Sequence, residues 1–155
     1  MTVARPAESS DLGQAPGTRE VPAYLLDTSA ILALYQDEAG AAAVEDLFER
    51  RDRGDASIFV SFMTIFEIVY LTMSGKGTEE AFSLLFKIRS LGMEEVWPDE
   101  ELLWRAAEVK ADGGLSAAGA FIAASAIVKE AILVHEDPEF ERLRSKVPSL
   151  SLMTA

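Results

Sequence analysis

The sequence predicts an α/β sandwich on a mainly parallel sheet of four to five strands, and three observations carry that reading. Short apolar segments of strand length at 23–26, 57–60 and 131–134 alternate with longer segments whose apolar residues recur at helical spacing. No hairpin signal joins one strand to the next, so each return passes through a helix, as parallel neighbours require. The segment AILV at 131–134 is continuously apolar, the pattern of a strand covered on both faces. With 155 residues, 49% hydrophobic and 26% charged, the chain can bury one substantial core. Residues 1–20, polar and rich in Pro, Gly, Ser and Ala, are expected to form a flexible tail, and 21–155 a single domain.

Each element has a local reason. Residues 23–26 form a first strand and 28–34 a short helix that starts just past Asp27. In 40–53, Val44, Leu47 and Phe48 share one helical face, Glu45, Asp46, Glu49 and Arg50 lie largely outside it, and Gly54 ends the helix. The strand at 57–60 leads into 61–73, a helix so apolar that it is expected to be buried on most sides. Ser74, Gly75, Lys76 and Gly77 close it, and Thr78 with Glu79 and Glu80 opens the next, which runs to about Ser90.

Residues 93–97 make a third strand near an edge, because two of them are glutamates and Pro98 ends the run. Asp99 caps a helix with Leu102, Leu103, Ala106 and Val109 at helical spacing, broken at Gly113 and Gly114. Ser116 caps another helix, 117–129, and the strand at 131–134 follows it. Asp137 and Pro138 start one more helix as cap and first residue, and 150–153 adds a last edge strand.

Composition closes off several chemistries. The absence of cysteine removes disulfides, zinc–thiolate sites and thiol nucleophiles, and fits a reducing cytoplasm. The single histidine, His135, rules out a multi-histidine metal site, and no serine sits in a GxSxG. No GxGxxG follows the first strand, and the Gly75-Lys76-Gly77 turn lacks both the upstream glycine and the adjoining hydroxyl of a phosphate-binding loop. Residues 56–75 are long enough to raise a membrane span, but Glu67 near the middle is expensive in lipid, so no span is expected. A net charge of −12 repels nucleic acid unless divalent cations or local basic patches intervene. Arg50, Arg51 and Arg53, and Arg142, Arg144 and Lys146, are two small clusters that could touch a phosphate backbone.

What remains for chemistry is mostly carboxylate. Asp27 is the only formal charge between Val21 and Tyr35, and Glu67 the only one between Asp55 and Lys76. Burying either ionised and alone costs several kcal/mol, so a partner is expected. Asp27 and Asp137 each have a plain alternative as helix caps. Glu67 lies in mid-helix, where no cap is needed, and its alternative is an internal salt bridge or a protonated acid. Ligands of parallel sheets bind beyond the carboxyl ends of the strands, where Asp27 and Asp137 fall and which Glu67 reaches from the side. Three such groups suit Mg²⁺ or Mn²⁺ and metal-assisted hydrolysis of a phosphodiester.

Four segments, YLLDTSAIL, TIFEIVYL, LSAAGAFIAASA and ILVHEDPEF, resemble in order and spacing the signature blocks of the PIN domain. They are most similar to the VapC-type toxins of bacterial toxin–antitoxin pairs. The resemblance covers Ala23 onward and implies a three-layer α/β/α sandwich, a Mg²⁺- or Mn²⁺-dependent endoribonuclease acting on RNA, and an acidic quartet at Asp27, Glu67, position 119 and Asp137. Asp27, Glu67 and Asp137 would then be both metal ligands and catalytic residues. It also implies a homodimer and an antitoxin peptide lying over the active-site groove. The helix 78–90, with Phe82, Leu85, Phe86 and Ile88 spread beyond a narrow stripe, is a candidate for either contact.

The chain departs from this pattern at two places. Gly119 stands where the family usually carries an aspartate, which weakens the site, and His135 stands where a small hydroxyl residue is frequent. Glycine there costs up to about 1 kcal/mol relative to alanine, so helix stability does not explain it. Glu136, or Glu108 with Asp112, are the compensating carboxylates to consider. The alternative function is a non-catalytic module of the same fold that binds RNA or an antitoxin; hydrolysis of a small phosphate ester is a third.

Overall fold

The computed structural model describes residues 20–143 and 146–154, so the expected tail lies outside the described residues except for Glu20. In chain order the elements are β1 (Ala23–Leu26), α1 (Thr28–Gln36), α2 (Ala41–Asp52), β2 (Ser57–Ser61), α3 (Phe62–Lys76), α4 (Thr78–Ser90), β3 (Glu94–Val96), α5 (Glu100–Ala111), α6 (Ala117–Val128) and β4 (Ile132–His135). A 3-10 helix (Pro138–Leu143), β5 (Ser149–Ser151) and a second 3-10 turn (Leu152–Thr154) follow. The segment expected as a last strand at 150–153 is therefore split between β5 and that turn.

All five strands are parallel, in the order β3-β2-β1-β4-β5. β1 is central, with Leu25 opposite Phe59 of β2 on one side and Leu133 of β4 on the other. The chain builds outward from β1 through β2 to β3, then crosses back to start β4 against β1's free edge. Connectivity thus reverses between β1 and β4, and their carboxyl ends splay apart around the crevice where open parallel sheets place ligands.

Side-chain alternation along the strands sorts the core into two halves, which is why helices cover both faces. Leu25 and Leu133 face α5 and α6, packing with Leu102, Ala106, Ala123 and Ala124. Tyr24, Leu26 and Val134 face the other way, with Ile31, Val44, Leu47, Ile68 and Ile88 from the first four helices. Each fully buried Leu of this kind stabilises the fold by about 1.5–3 kcal/mol. The buried alanines of α6 bring that helix close to the sheet, and Ser125 Oγ donates to the Phe121 carbonyl (2.7 Å) and shares a hydroxyl–hydroxyl hydrogen bond with Ser61 Oγ (3.1 Å), joining α6 to the end of β2.

The caps follow the sequence: Ser61 accepts from the Met63 N–H (3.2 Å), Asp99 from Leu102 (2.8 Å) and Ser116 from Gly119 (3.0 Å). α3 corrects one expectation. It is not buried on most sides, since Phe66, Tyr70, Leu71 and Met73 are exposed while the polar Thr64 is fully covered. An unbroken apolar run has no polar stripe to mark its outer face, so periodicity could not orient this helix. Among the described residues, no helix is long and apolar enough to cross a membrane.

Candidate active site

A cleft of about 260 Å³ opens at the carboxyl ends of β1 and β4, lined by Asp27, Glu67, Asp137 and Glu139 together with Thr28, Ser29, Ser116 and Gly119. Leu32, Ala118, Ile122 and Phe140 supply its apolar walls. The three carboxylates picked out in the sequence therefore meet, although 40 residues separate the first from the second and 70 the second from the third. No lysine or arginine is among the described residues that line the cleft.

Asp27 is 3% exposed and both caps α1 and faces the cleft. Its Oδ1 accepts from the Ala30 N–H (2.9 Å) and from Ser29 Oγ (2.7 Å). The same Ser29 hydroxyl accepts from the Glu136 N–H (2.8 Å), so one side chain ties the end of β1 to the loop after β4. Asp137 likewise has a cap's bond, accepting from the Glu139 N–H (2.9 Å). Capping and a place in the cleft are compatible for both aspartates, because a cap engages only part of a carboxylate's acceptor capacity.

Glu67 projects from α3 into the cleft, where Thr28 Oγ1 donates to its Oε1 (2.9 Å). Burial pushes Asp27 up to about 7, assisted by the negative charges of Asp137 and Glu67 and opposed by its hydrogen bonds from Ala30 and Ser29. Glu67 is also raised, by burial first and then by Asp137 and Glu139, against the Thr28 bond. Both shifts have the sign produced by crowding anions in a poorly solvated pocket that no described lysine or arginine lines.

Sequence reasoning missed Glu139, Ser29 and Thr28. The hydroxyls had a local signal, since Thr and Ser directly after a capping Asp are placed to hydrogen-bond neighbouring carboxylates. Glu139 had little, because its position depends on how the 3-10 helix folds against α6. Its carboxylate accepts from the Ser116 N–H and, at 3.3 Å, from Ser116 Oγ. The candidates considered for compensation are elsewhere. Glu136 points toward α2's start, its Oε1 2.9 Å from where a Cβ on Gly40 would stand. Glu108 pairs with Arg105 and Asp112 with Lys146, all four exposed. His135 is fully buried in β4, its ring edge-on to Phe140 at 5.3 Å between centroids.

The basic clusters are engaged structurally. Arg50 donates to Tyr24 Oη (3.0 Å), Arg51 to the Leu91 carbonyl (2.5 Å), and Arg53 pairs with Glu49 and Asp55. They lie toward the edge where β2 begins, opposite the cleft. Arg142 donates to the Gly114 carbonyl (3.3 Å), and Arg144 is outside the described residues.

The donors of the cleft are carboxylate and hydroxyl oxygens, the chemistry of a hard divalent cation. Among the described residues no group of three His, Asp or Glu side chains is arranged to hold an ion by itself. That is compatible with Mg²⁺, which keeps several waters and is bound through one or two carboxylates rather than in an all-protein cage. Asp27, Glu67 and Asp137 are oxygen donors of the kind such a cation takes, and no described lysine or arginine lines the cleft to offset their charge.

A doubly covered parallel sheet with an acidic cleft at its topological switch point defines the class of protein: a three-layer α/β/α fold with its candidate site at the carboxyl ends of the strands. The PIN domain family model matches residues 24–146, and the chain belongs to that family. Its fold is similar to VapBC from Salmonella typhimurium in complex with DNA (16% identity, TM-score 0.68, covering 86% of this chain and 99% of the matched one). It is also similar to VapBC-1 from nontypeable Haemophilus influenzae (16%, 0.64, 84% and 98%) and to PAE2754 from Pyrobaculum aerophilum (23%, 0.59, 89% and 94%). No curated protein matches the chain significantly.

Proposed function

We propose that this chain is a metal-dependent endoribonuclease, the toxin of a VapC-type pair, with Asp27, Glu67 and Asp137 as ligands of Mg²⁺ or Mn²⁺. The observation that carries the proposal is the convergence of these carboxylates in one cleft that no described lysine or arginine lines. Buried like charges of this kind are stable only when protonated or when a cation joins them. Bound there, the cation would polarise a phosphoryl oxygen and lower the pKa of an attacking water.

The protein's own part is positioning. Ser29 fixes Asp27 against the β4 loop, Thr28 donates to Glu67, and the apolar Leu32, Ile122 and Phe140 line the cleft, where they would restrict water around a bound phosphate. With burial raising Asp27 to about 7, its carboxyl is partly protonated at neutral pH, and a cation held there would favour the ionised form. Residues 21–155 act as one domain in this reading, and the cytoplasm is its compartment.

Partners follow from the same reading. Structural relatives include a toxin–antitoxin complex from Klebsiella pneumoniae, which supports an antitoxin protein as partner. Phe66, Tyr70, Leu71 and Met73 on α3 and Phe82 and Phe86 on α4 are exposed, as are Leu103 and Trp104 on α5. That much apolar surface supports both a homodimer and an antitoxin contact.

The test is cleavage of structured RNA with Mg²⁺ or Mn²⁺, with EDTA, and in Asp27→Asn. Cleavage that needs the metal and disappears in the variant is the expected result. RNA or antitoxin binding with no turnover in any metal would favour the non-catalytic module, a reading to which Gly119 lends weight.

A further inference from the structure

We propose that Glu139 is the fourth acidic ligand of this site, its carboxylate standing in the space that a side chain at position 119 would fill. The inference rests on the metal reading above and adds a residue to it. A Cβ built on Gly119 would lie 2.7 Å from Glu139 Oε2, 3.0 Å from its Cδ and 3.1 Å from its Oε1. All three distances are shorter than ordinary van der Waals contact, so a side chain at 119 would require the Glu139 carboxylate to leave its present place.

The placement is built rather than incidental. Glu139 follows Asp137 by two residues in the 3-10 helix, whose buried Phe140 and Leu143 fix that helix in the core. Its carboxylate accepts from the N–H and the hydroxyl of Ser116, the residue that caps α6 through the Gly119 N–H. The amino end of α6 thus holds the Glu139 carboxylate at the wall of the cleft. A glutamate's longer reach from the 3-10 helix replaces a shorter acid on α6, and Gly119 is the residue that leaves room for it. Glycine in the first turn of α6, unexplained by helix stability, then has a reason.

The experiment is Mn²⁺ binding by calorimetry and by electron paramagnetic resonance of the free ion, on the native chain, Asp27→Asn, Glu139→Gln, Gly119→Asp and the Gly119→Asp/Glu139→Gln pair. Glutamine keeps an acceptor for the Ser116 N–H, so melting of the metal-free Glu139→Gln variant reports whether the fold is intact. Glu139→Gln is expected to weaken Mn²⁺ binding on the order of ten-fold or more, and the pair to recover most of it. Gly119→Asp alone should bind no better than the pair, because the two acids compete for one volume. Native-like binding by a folded Glu139→Gln overturns the inference, as does failure of the pair to recover affinity. If the native chain and Asp27→Asn are alike in taking up no Mn²⁺, the metal reading itself falls. If Asp27→Asn abolishes binding and Glu139→Gln does not, only the role of Glu139 falls.

Discussion

At the scale of single residues, the charge on Asp27 sets a pH dependence whose sign can be worked out. Its folded value of about 7 lies above the ordinary 3.8, so between those limits the folded state holds a proton that the unfolded state has lost. The Asp27 contribution to metal-free stability is therefore fully present below pH 3.8 and is lost as pH rises toward 7, by about 4 kcal/mol at most. Thermal melts in EDTA should show Asp27→Asn more stable than the native chain at pH 8, with the difference vanishing near pH 4. Mn²⁺ should raise the native melting temperature at pH 8 and leave the variant's unchanged. Thr28 acts through Glu67: Thr28→Val removes the 2.9 Å bond and should weaken Mn²⁺ binding roughly 10–100-fold while the fold survives. That Asp27 and Glu67 are set apart from other carboxylates was legible in the sequence, because they are lone charges in apolar runs, and both line the cleft. Glu139 was not, since it sits in a charged stretch and gains meaning only from its approach to Gly119.

At the scale of elements, the strands and caps were legible for local reasons. β1 and β4 are short continuous apolar runs, and Asp99 and Ser116 precede helices as caps do. α3 was not, because Ile65 and Phe66 look alike in sequence and only packing against β2 and α4 makes one inner and one outer. The difference is measurable by urea unfolding. Ile68→Ala, which empties a fully buried position, should cost about 2–5 kcal/mol. Phe66→Ser, on the exposed face, should stay within about 0.5 kcal/mol of the native chain. Equal losses at both positions would mean that α3 is buried all round after all.

At the scale of the whole molecule, the proposed function requires an acidic chain of net charge −12 to meet a polyanionic substrate at its acidic cleft through bound cations, and the proposed protein partners would cover its exposed apolar side chains. Phe82→Glu with Phe86→Glu on α4 should leave the metal-free melting temperature nearly unchanged and reduce self-association or antitoxin capture, read by sedimentation and by co-purification. Order between β1 and β4 supplies the site, and side chains from α3 and the 3-10 helix complete it. The central claim is that this crevice is a divalent-cation site, and anomalous diffraction from crystals grown with Mn²⁺ addresses it without depending on any RNA sequence. The account predicts a Mn²⁺ peak among Asp27, Glu67, Asp137 and Glu139, lost in Asp27→Asn crystals. A cleft without a peak under saturating Mn²⁺, or a peak that persists in Asp27→Asn, would contradict it.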